Sequence, residues 1–104
     1  MKTEQASSIA NLNDAFRRQG LAVTITTGVQ ALPDLGGLME AVRGYDEFFD
    51  SNDPYGEHDF GTIFWSKLKV FWKIDYYDQA LKHGEDPQSP NCQRVLTVML
   101  AREY

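Results

Sequence analysis

Apolar residues recur at helical spacing near the start of the chain. Ile9, Leu12, Ala15 and Phe16 follow Ser7 and Ser8, either an acceptable N-cap, and Gly20 after Arg17-Arg18 supplies a stop. An amphipathic helix is predicted there. The period then shortens to two: in residues 21–27, Leu21, Val23 and Ile25 fall on one face and Ala22, Thr24 and Thr26 on the other, a β-branched, half-buried strand. Gly28 ends it. After Pro33-Asp34 a second helix is predicted from about Leu35 to Phe49, with Leu38, Val42, Tyr45 and Phe49 on one side, although Gly36, Gly37 and Gly44 weaken it.

The segment from Asp50 to His58 contains Asn52-Asp53-Pro54-Tyr55-Gly56 and reads as a loop. Residues 59–66 and 69–77 are strand-like and separated only by Lys67-Leu68, a hairpin. In the second of these strands Val70, Trp72, Ile74 and Tyr76 face one way, and Phe71, Lys73, Asp75 and Tyr77 the other. Either Phe71 or Trp72 must therefore lie outside the core or under a loop. Residues 78–91, with Gly84, Pro87 and Pro90, read as a loop holding at most one helical turn around Gln79 to Lys82. Residues 94–101 have the length of either a strand or a helical segment, and Val95, Thr97 and Val98 favour a strand. The order α-β-α-β-β-β predicts an α+β fold: a two-layer sandwich of two helices on an antiparallel sheet of about four strands.

Composition bounds the class. The 104 residues are 42% hydrophobic and 12% aromatic, enough for one core and too few for two, so a single domain over 1–104 is expected. Met1 to Ser8 lack the apolar run of a secretory signal, and no stretch is long enough to span a bilayer; a cytoplasmic location is expected. Cys92 is the only cysteine, which excludes an internal disulfide and a multi-cysteine zinc site. Its neighbours Asn91 and Gln93 are uncharged and give no reason for an activated thiol.

Charge is unevenly distributed along the chain. From Asp34 to Asp59, 26 residues carry eight carboxylates against Arg43 alone, a local charge of −7, whereas the whole chain carries −5. The remainder is therefore about +2, and acidity is confined to one stretch. Direct binding to nucleic acid or membrane is disfavoured, since both rely on Lys and Arg to meet phosphates. A basic protein is the expected partner. Strand positions i and i+2 lie about 6.6 Å apart, so Asp46, Glu47, Asp50, Asp53, Glu57 and Asp59 would offer a row of charge resembling a phosphate backbone if the loop is held in place. Asp75, Tyr77 and Asp78, at the end of the second hairpin strand, would extend that surface, Tyr77 with the aromatic character common in binding hot spots. The plain alternative is a solvated helix face followed by turn-forming Asp and Asn.

His58 beside Glu57, Asp59, Asp53 and Asp50 also invites a metal or acid–base reading. Contiguous strand residues point to alternate sides, so His58 does not share a centre with both neighbours. The calcium-loop pattern fails where Pro54 and Tyr55 replace its ligand and glycine. A small metal-dependent enzyme centred on His58 is therefore the second reading, and a His58 that braces the loop onto the hairpin is preferred to it. No catalytic residue, metal or cofactor is assigned. Lys67, Lys69 and Lys73 on the hairpin read as protection of a sheet edge.

Four blocks carry a resemblance: Ile9-Ala10 with Leu12-Asn13-Asp14-Ala15-Phe16-Arg17; Asn52-Asp53-Pro54-Tyr55-Gly56-Glu57-His58-Asp59-Phe60-Gly61; Phe71-Trp72-Lys73-Ile74-Asp75-Tyr76-Tyr77-Asp78; and Arg94 to Tyr104. Through them the chain resembles a family of small proteobacterial proteins known only as a domain of unknown function, whose members sit on plasmids and other mobile elements. The resemblance implies that setting without supplying an activity or site residues. Such company raises a counter-defence role. The leading expectation is a non-enzymatic acidic inhibitor, of anti-CRISPR or anti-restriction type, that occupies the DNA-binding groove of a host nucleic-acid-targeting complex by DNA mimicry. A regulatory partner in plasmid maintenance is a further alternative.

Overall fold

The computed structural model describes residues 3–20 and 22–104. Leu21, placed by the sequence in the first strand, lies outside the described residues. The elements are α1 (Glu4–Gln19), β1 (Val23–Ile25), α2 (Thr27–Gln30), α3 (Leu35–Arg43), β2 (Phe60–Trp65), β3 (Leu68–Tyr77), β4 (Gln93–Leu100) and a final 3-10 turn, Ala101–Glu103. The strands form one sheet in the order β1-β4-β3-β2. Among the described residues there are three helices, the short α2 adding one to the two expected, beside this four-stranded sheet, and the fold is α+β, as the residue pattern predicts.

Two pairings, β2 with β3 and β3 with β4, are antiparallel. The third departs from expectation: β1 runs parallel to β4, Thr24 opposite Thr97. Alternation gives a strand its faces but not its neighbour's direction, and the whole α2-to-β3 segment supplies the long crossover a parallel pair needs. The segment 94–101 is a strand through Leu100, which resolves its ambiguity. The hairpin turn is Ser66-Lys67, one residue earlier than predicted. Both have positive φ, 51° and 66°, the backbone of a type I′ turn, and Trp65 pairs with Leu68 across it.

Helix boundaries shift for local reasons. α1 begins earlier than Ser7 because Thr3 is its N-cap, its Oγ1 accepting from the Ala6 N–H at 3.0 Å. Its buried stripe is Ala6, Ile9, Ala10, Asn13 and Arg17, while Leu12 and Ala15 are exposed. α3 opens on Asp34, whose Oδ1 accepts from the Gly37 N–H at 3.1 Å. A Cβ at Gly37 would overlap that carboxylate, so the glycine that weakens the helix pattern is what its cap requires. α3 stops at Arg43 and not at Phe49, because Gly44 caps it and the chain beyond is extended or turned. Phe49 is consequently exposed, and Phe48 packs against the core in its place.

The helices cover one face of the sheet. Val29, Leu38, Val42 and Tyr45 pack on Val70, Trp72, Ile74, Leu96, Val98 and Leu100, the core between the two layers. Trp72 is fully buried there, whereas Phe71 lies on the opposite face with Phe60 and Tyr104, ring centroids 5.0 and 5.7 Å away. Gly61 sits across from Trp72, and a Cβ there would overlap the indole Nε1. No helix among the described residues is long and apolar enough to cross a membrane.

Candidate functional site

The acidic segment from Tyr45 to Asp59 has no regular secondary structure, so its shape depends on side-chain contacts. Arg17 supplies the first set. Its guanidinium is fully buried and donates from Nε to the Val42 carbonyl (3.0 Å), from Nη2 to the Tyr45 carbonyl (2.7 Å) and from Nη1 to Asp14 Oδ1 (3.0 Å). The first two bonds tie the end of α3 to the start of the loop: Val42 lies in the last turn of the helix, where its carbonyl also accepts from the Tyr45 N–H (3.3 Å), and Tyr45 lies just beyond it. Its planar group also lies over the Trp72 ring, 4.9 Å from the centroid, and near Phe48 at 5.5 Å. Burial lowers the Arg17 pKa, opposed by the Asp14 carboxylate.

Asp14 passes this anchor to the loop. His58 Nδ1 is 3.1 Å from both Asp14 carboxylate oxygens, and the imidazole stacks on Phe48 at 3.8 Å with 3° between planes. His58 takes a positive φ of 57°, a backbone region that His tolerates better than most residues. Its backbone N–H reaches Asp53 Oδ1 (3.3 Å), and its Nε2 lies 3.6 Å from Asp53 Oδ2, a buried oxygen with no hydrogen-bond partner among the described residues. His58 is thus a brace, as preferred from the sequence, but it fastens the loop to α1 and not to the hairpin.

A second polar string lies alongside. Asn13 donates from Nδ2 to the Glu57 carbonyl (2.9 Å) and to the Tyr76 hydroxyl (2.8 Å), and it accepts from Arg94 Nε (2.7 Å). The Tyr76 hydroxyl in turn donates to Asp59 Oδ2 (3.2 Å). Burial raises the Asp59 pKa, reinforced by the Asp53 charge and opposed by the Tyr76 hydrogen bond. Glu57 is raised by burial and by the charges of Asp59 and Asp53. Burial also raises the Tyr76 phenol.

The carboxylates singled out from the sequence therefore divide into groups. Asp46, Glu47 and Asp50 are exposed on the loop. Asp53 is only 6% exposed and turned toward His58, and Glu57 and Asp59 are half-buried. Asp75 and Tyr77 lie on the sheet face opposite the helices, where Asp75 pairs with Lys73 at 2.8 Å. Asp78 caps the turn after β3 by accepting from the Lys82 N–H (3.0 Å). The structure thus brings Asp46, Glu47 and Asp50 together on one loop and sets the Asp75 to Asp78 group apart from it.

Among the described residues no three His, Cys, Asp or Glu side chains are grouped to hold a metal ion. Cys92 is half-buried with its pKa raised by burial, the opposite of an activated thiolate. The bracing residues Asn13, Asp14 and Arg17 were not anticipated. Their signal is present in the sequence: Ile9, Asn13 and Arg17 are spaced four apart, which puts two polar side chains on an apolar stripe.

No curated protein and no solved structure matches the chain. A family match begins at Ile25, taking in the acidic loop, the hairpin and β4 and leaving out Asn13, Asp14 and Arg17. With the family described as "Protein of unknown function (DUF3768)" matching residues 25–103, well over half of its length, the chain belongs to that family.

Proposed function

We propose that this protein is a non-enzymatic interaction module whose acidic loop docks on the basic surface of a nucleic-acid-binding protein or complex and keeps nucleic acid off it. One observation carries the reading: the loop bearing Asp46, Glu47 and Asp50 is anchored by Arg17, Asp14 and His58 to a buried framework. A solubilising acidic segment has no need of such anchoring. Carboxylates that compete with phosphates gain from being fixed, since a mobile set would lose affinity to the entropy of ordering.

Because the chain resembles proteins of mobile elements, the partner we name is a host nucleic-acid-targeting defence complex, with the protein as its inhibitor. The interacting set is led by Asp46, Glu47 and Asp50. Glu57 stands behind them, half-buried, and Asp53 and Asp59 shape the loop from within. The test is charge reversal of Asp46, Glu47 and Asp50 together, with circular dichroism and thermal melting to establish that the variant is folded. Loss of partner binding by a folded variant supports the reading, and undiminished binding refutes it.

A further inference from the structure

We infer that the outer edge of β2, at Phe64, accepts an extended basic peptide as an additional strand, with Asp46 and Glu47 meeting its Lys or Arg side chains; the inference rests on the proposed role of the acidic loop and names the form its partner takes. β2 is the last strand on its side of the sheet. Edge strands are ordinarily shielded by charge, proline or a bulge. β2 reads Phe60-Gly61-Thr62-Ile63-Phe64-Trp65, with no charge and no proline, and its register with β3 is unbroken from Phe60 opposite Lys73 to Trp65 opposite Leu68.

The direction of its backbone groups follows from the turn. A two-residue hairpin makes Trp65 and Leu68 a hydrogen-bonded pair, so Ile63 with Val70 and Gly61 with Trp72 are bonded pairs as well. The bond from the Ile74 N–H to the Asp59 carbonyl (2.9 Å) continues the same alternation. Phe60, Thr62 and Phe64 therefore direct their N–H and C=O groups away from β3. The Thr62 backbone meets the Tyr45 hydroxyl. Among the described residues nothing pairs with the outward groups of Phe64, whose side chain is 72% exposed.

Beside this edge runs an open groove of about 420 Å³, bounded by Thr62, Ile63 and Phe64 on one side and by Tyr45, Asp46 and Glu47 on the other. Its lining suits one added strand: backbone pairing at Phe64, an apolar contact at Ile63 and two carboxylates for cationic side chains. The opposite edge does not compete. β1 is three residues long, and its Ile25 carbonyl already accepts from Gln30 Nε2 (3.3 Å). A second copy of this chain is the wrong occupant, because two-fold pairing of β2 with itself would bring Asp46 and Glu47 of both copies toward each other.

The experiment uses the full chain and a short peptide of alternating Lys and Val at low salt, with a Glu-for-Lys counterpart as control. Amide exchange by NMR and a binding isotherm are read for the wild type, Phe64→Thr and Phe64→Pro. Threonine keeps the outward N–H. Proline removes it, and a solvent-facing edge position tolerates proline, so both variants should fold. The inference expects the Lys–Val peptide to bind and to slow exchange of the Phe64 amide, and the Glu peptide not to bind. Binding should be about fivefold weaker in Phe64→Pro than in Phe64→Thr, the worth of one hydrogen bond. Binding that is equal in the two variants overturns strand addition while leaving the acidic-loop reading standing, since that reading is judged by charge reversal at Asp46, Glu47 and Asp50. Absence of peptide binding to the wild type, or a Phe64 amide already protected in a dimer, also overturns the inference.

Discussion

The imidazole of His58 contacts both carboxylate oxygens of Asp14 at 3.1 Å, joining the acidic loop to a helix 44 residues earlier in the chain. Both side chains are largely shielded, 25% and 15% exposed, so water competes weakly for the contact. Replacing His58 by Ala removes this link and the stack on Phe48. The expected cost is ~1–2 kcal/mol of global stability, with a larger local effect. Amide exchange should accelerate in residues 45–58 before it does in the sheet, and uniform acceleration through the whole chain would contradict a loop-specific brace.

Arg17 is the more demanding position. Truncating it to Met removes the Arg17 bonds to the Tyr45 carbonyl, the Val42 carbonyl and the Asp14 carboxylate, of which Val42 keeps the Tyr45 N–H and Asp14 keeps His58, and ~3–5 kcal/mol of destabilisation is expected from a broken buried charge network. Arg17→Lys should restore little, because one ammonium cannot reproduce a planar fork that reaches three acceptors. Urea unfolding of the three proteins measures both statements. A Lys variant as stable as the wild type would show that charge alone, and not the fork, anchors the loop.

Asp59 and Glu57 give the pH dependence a definite sign. Both are raised above their ordinary values of 3.8 and 4.5, chiefly by burial, so the folded chain holds these protons more tightly than the unfolded one. Their contribution is fully favourable below those ordinary values and is lost as pH rises through the raised folded values. Asp59→Asn keeps an acceptor for the Tyr76 hydroxyl but cannot ionise. Relative to the wild type, this variant should be more stable at neutral pH than in acid, as read from denaturant midpoints across the acidic range. A difference independent of pH would contradict the assignment.

Gly61 faces the indole of Trp72 across the β2–β3 pair with no room for a side chain. Gly61→Ala should cost ~1–3 kcal/mol by forcing Trp72 or the strand to move. Thermal denaturation measures the cost, and near-ultraviolet circular dichroism should show a changed Trp environment. A neutral effect would mean that the sheet yields at that point.

The sheet was the part most open to reading from sequence, because alternation in residues 69–77 separates Val70, Trp72 and Ile74 from Phe71, Lys73 and Asp75 without reference to any partner. What it leaves open is who pairs with whom. Nothing near Val23 to Ile25 indicates that they run parallel to a strand some seventy residues later, a relation set by where α2 and α3 pack. The helix ends are set by local caps that apolar periodicity does not reveal, Thr3 at the start of α1 and Gly44 at the end of α3. The acidic stretch was visible as charge. Its division into exposed Asp46, Glu47 and Asp50 and inward Asp53 depends on His58 and Asp14, whose meeting is a tertiary event.

The most direct test of the acidic loop as a docking surface is competition. Partner captured on immobilised wild-type protein and on the Asp46, Glu47 and Asp50 charge-reversed protein is challenged with duplex DNA over a series of salt concentrations. A docking acidic loop gives capture by the wild type alone, release by duplex DNA, and affinity that falls steeply with salt. Equal capture by the two proteins, or a complex that duplex DNA does not displace, would contradict it.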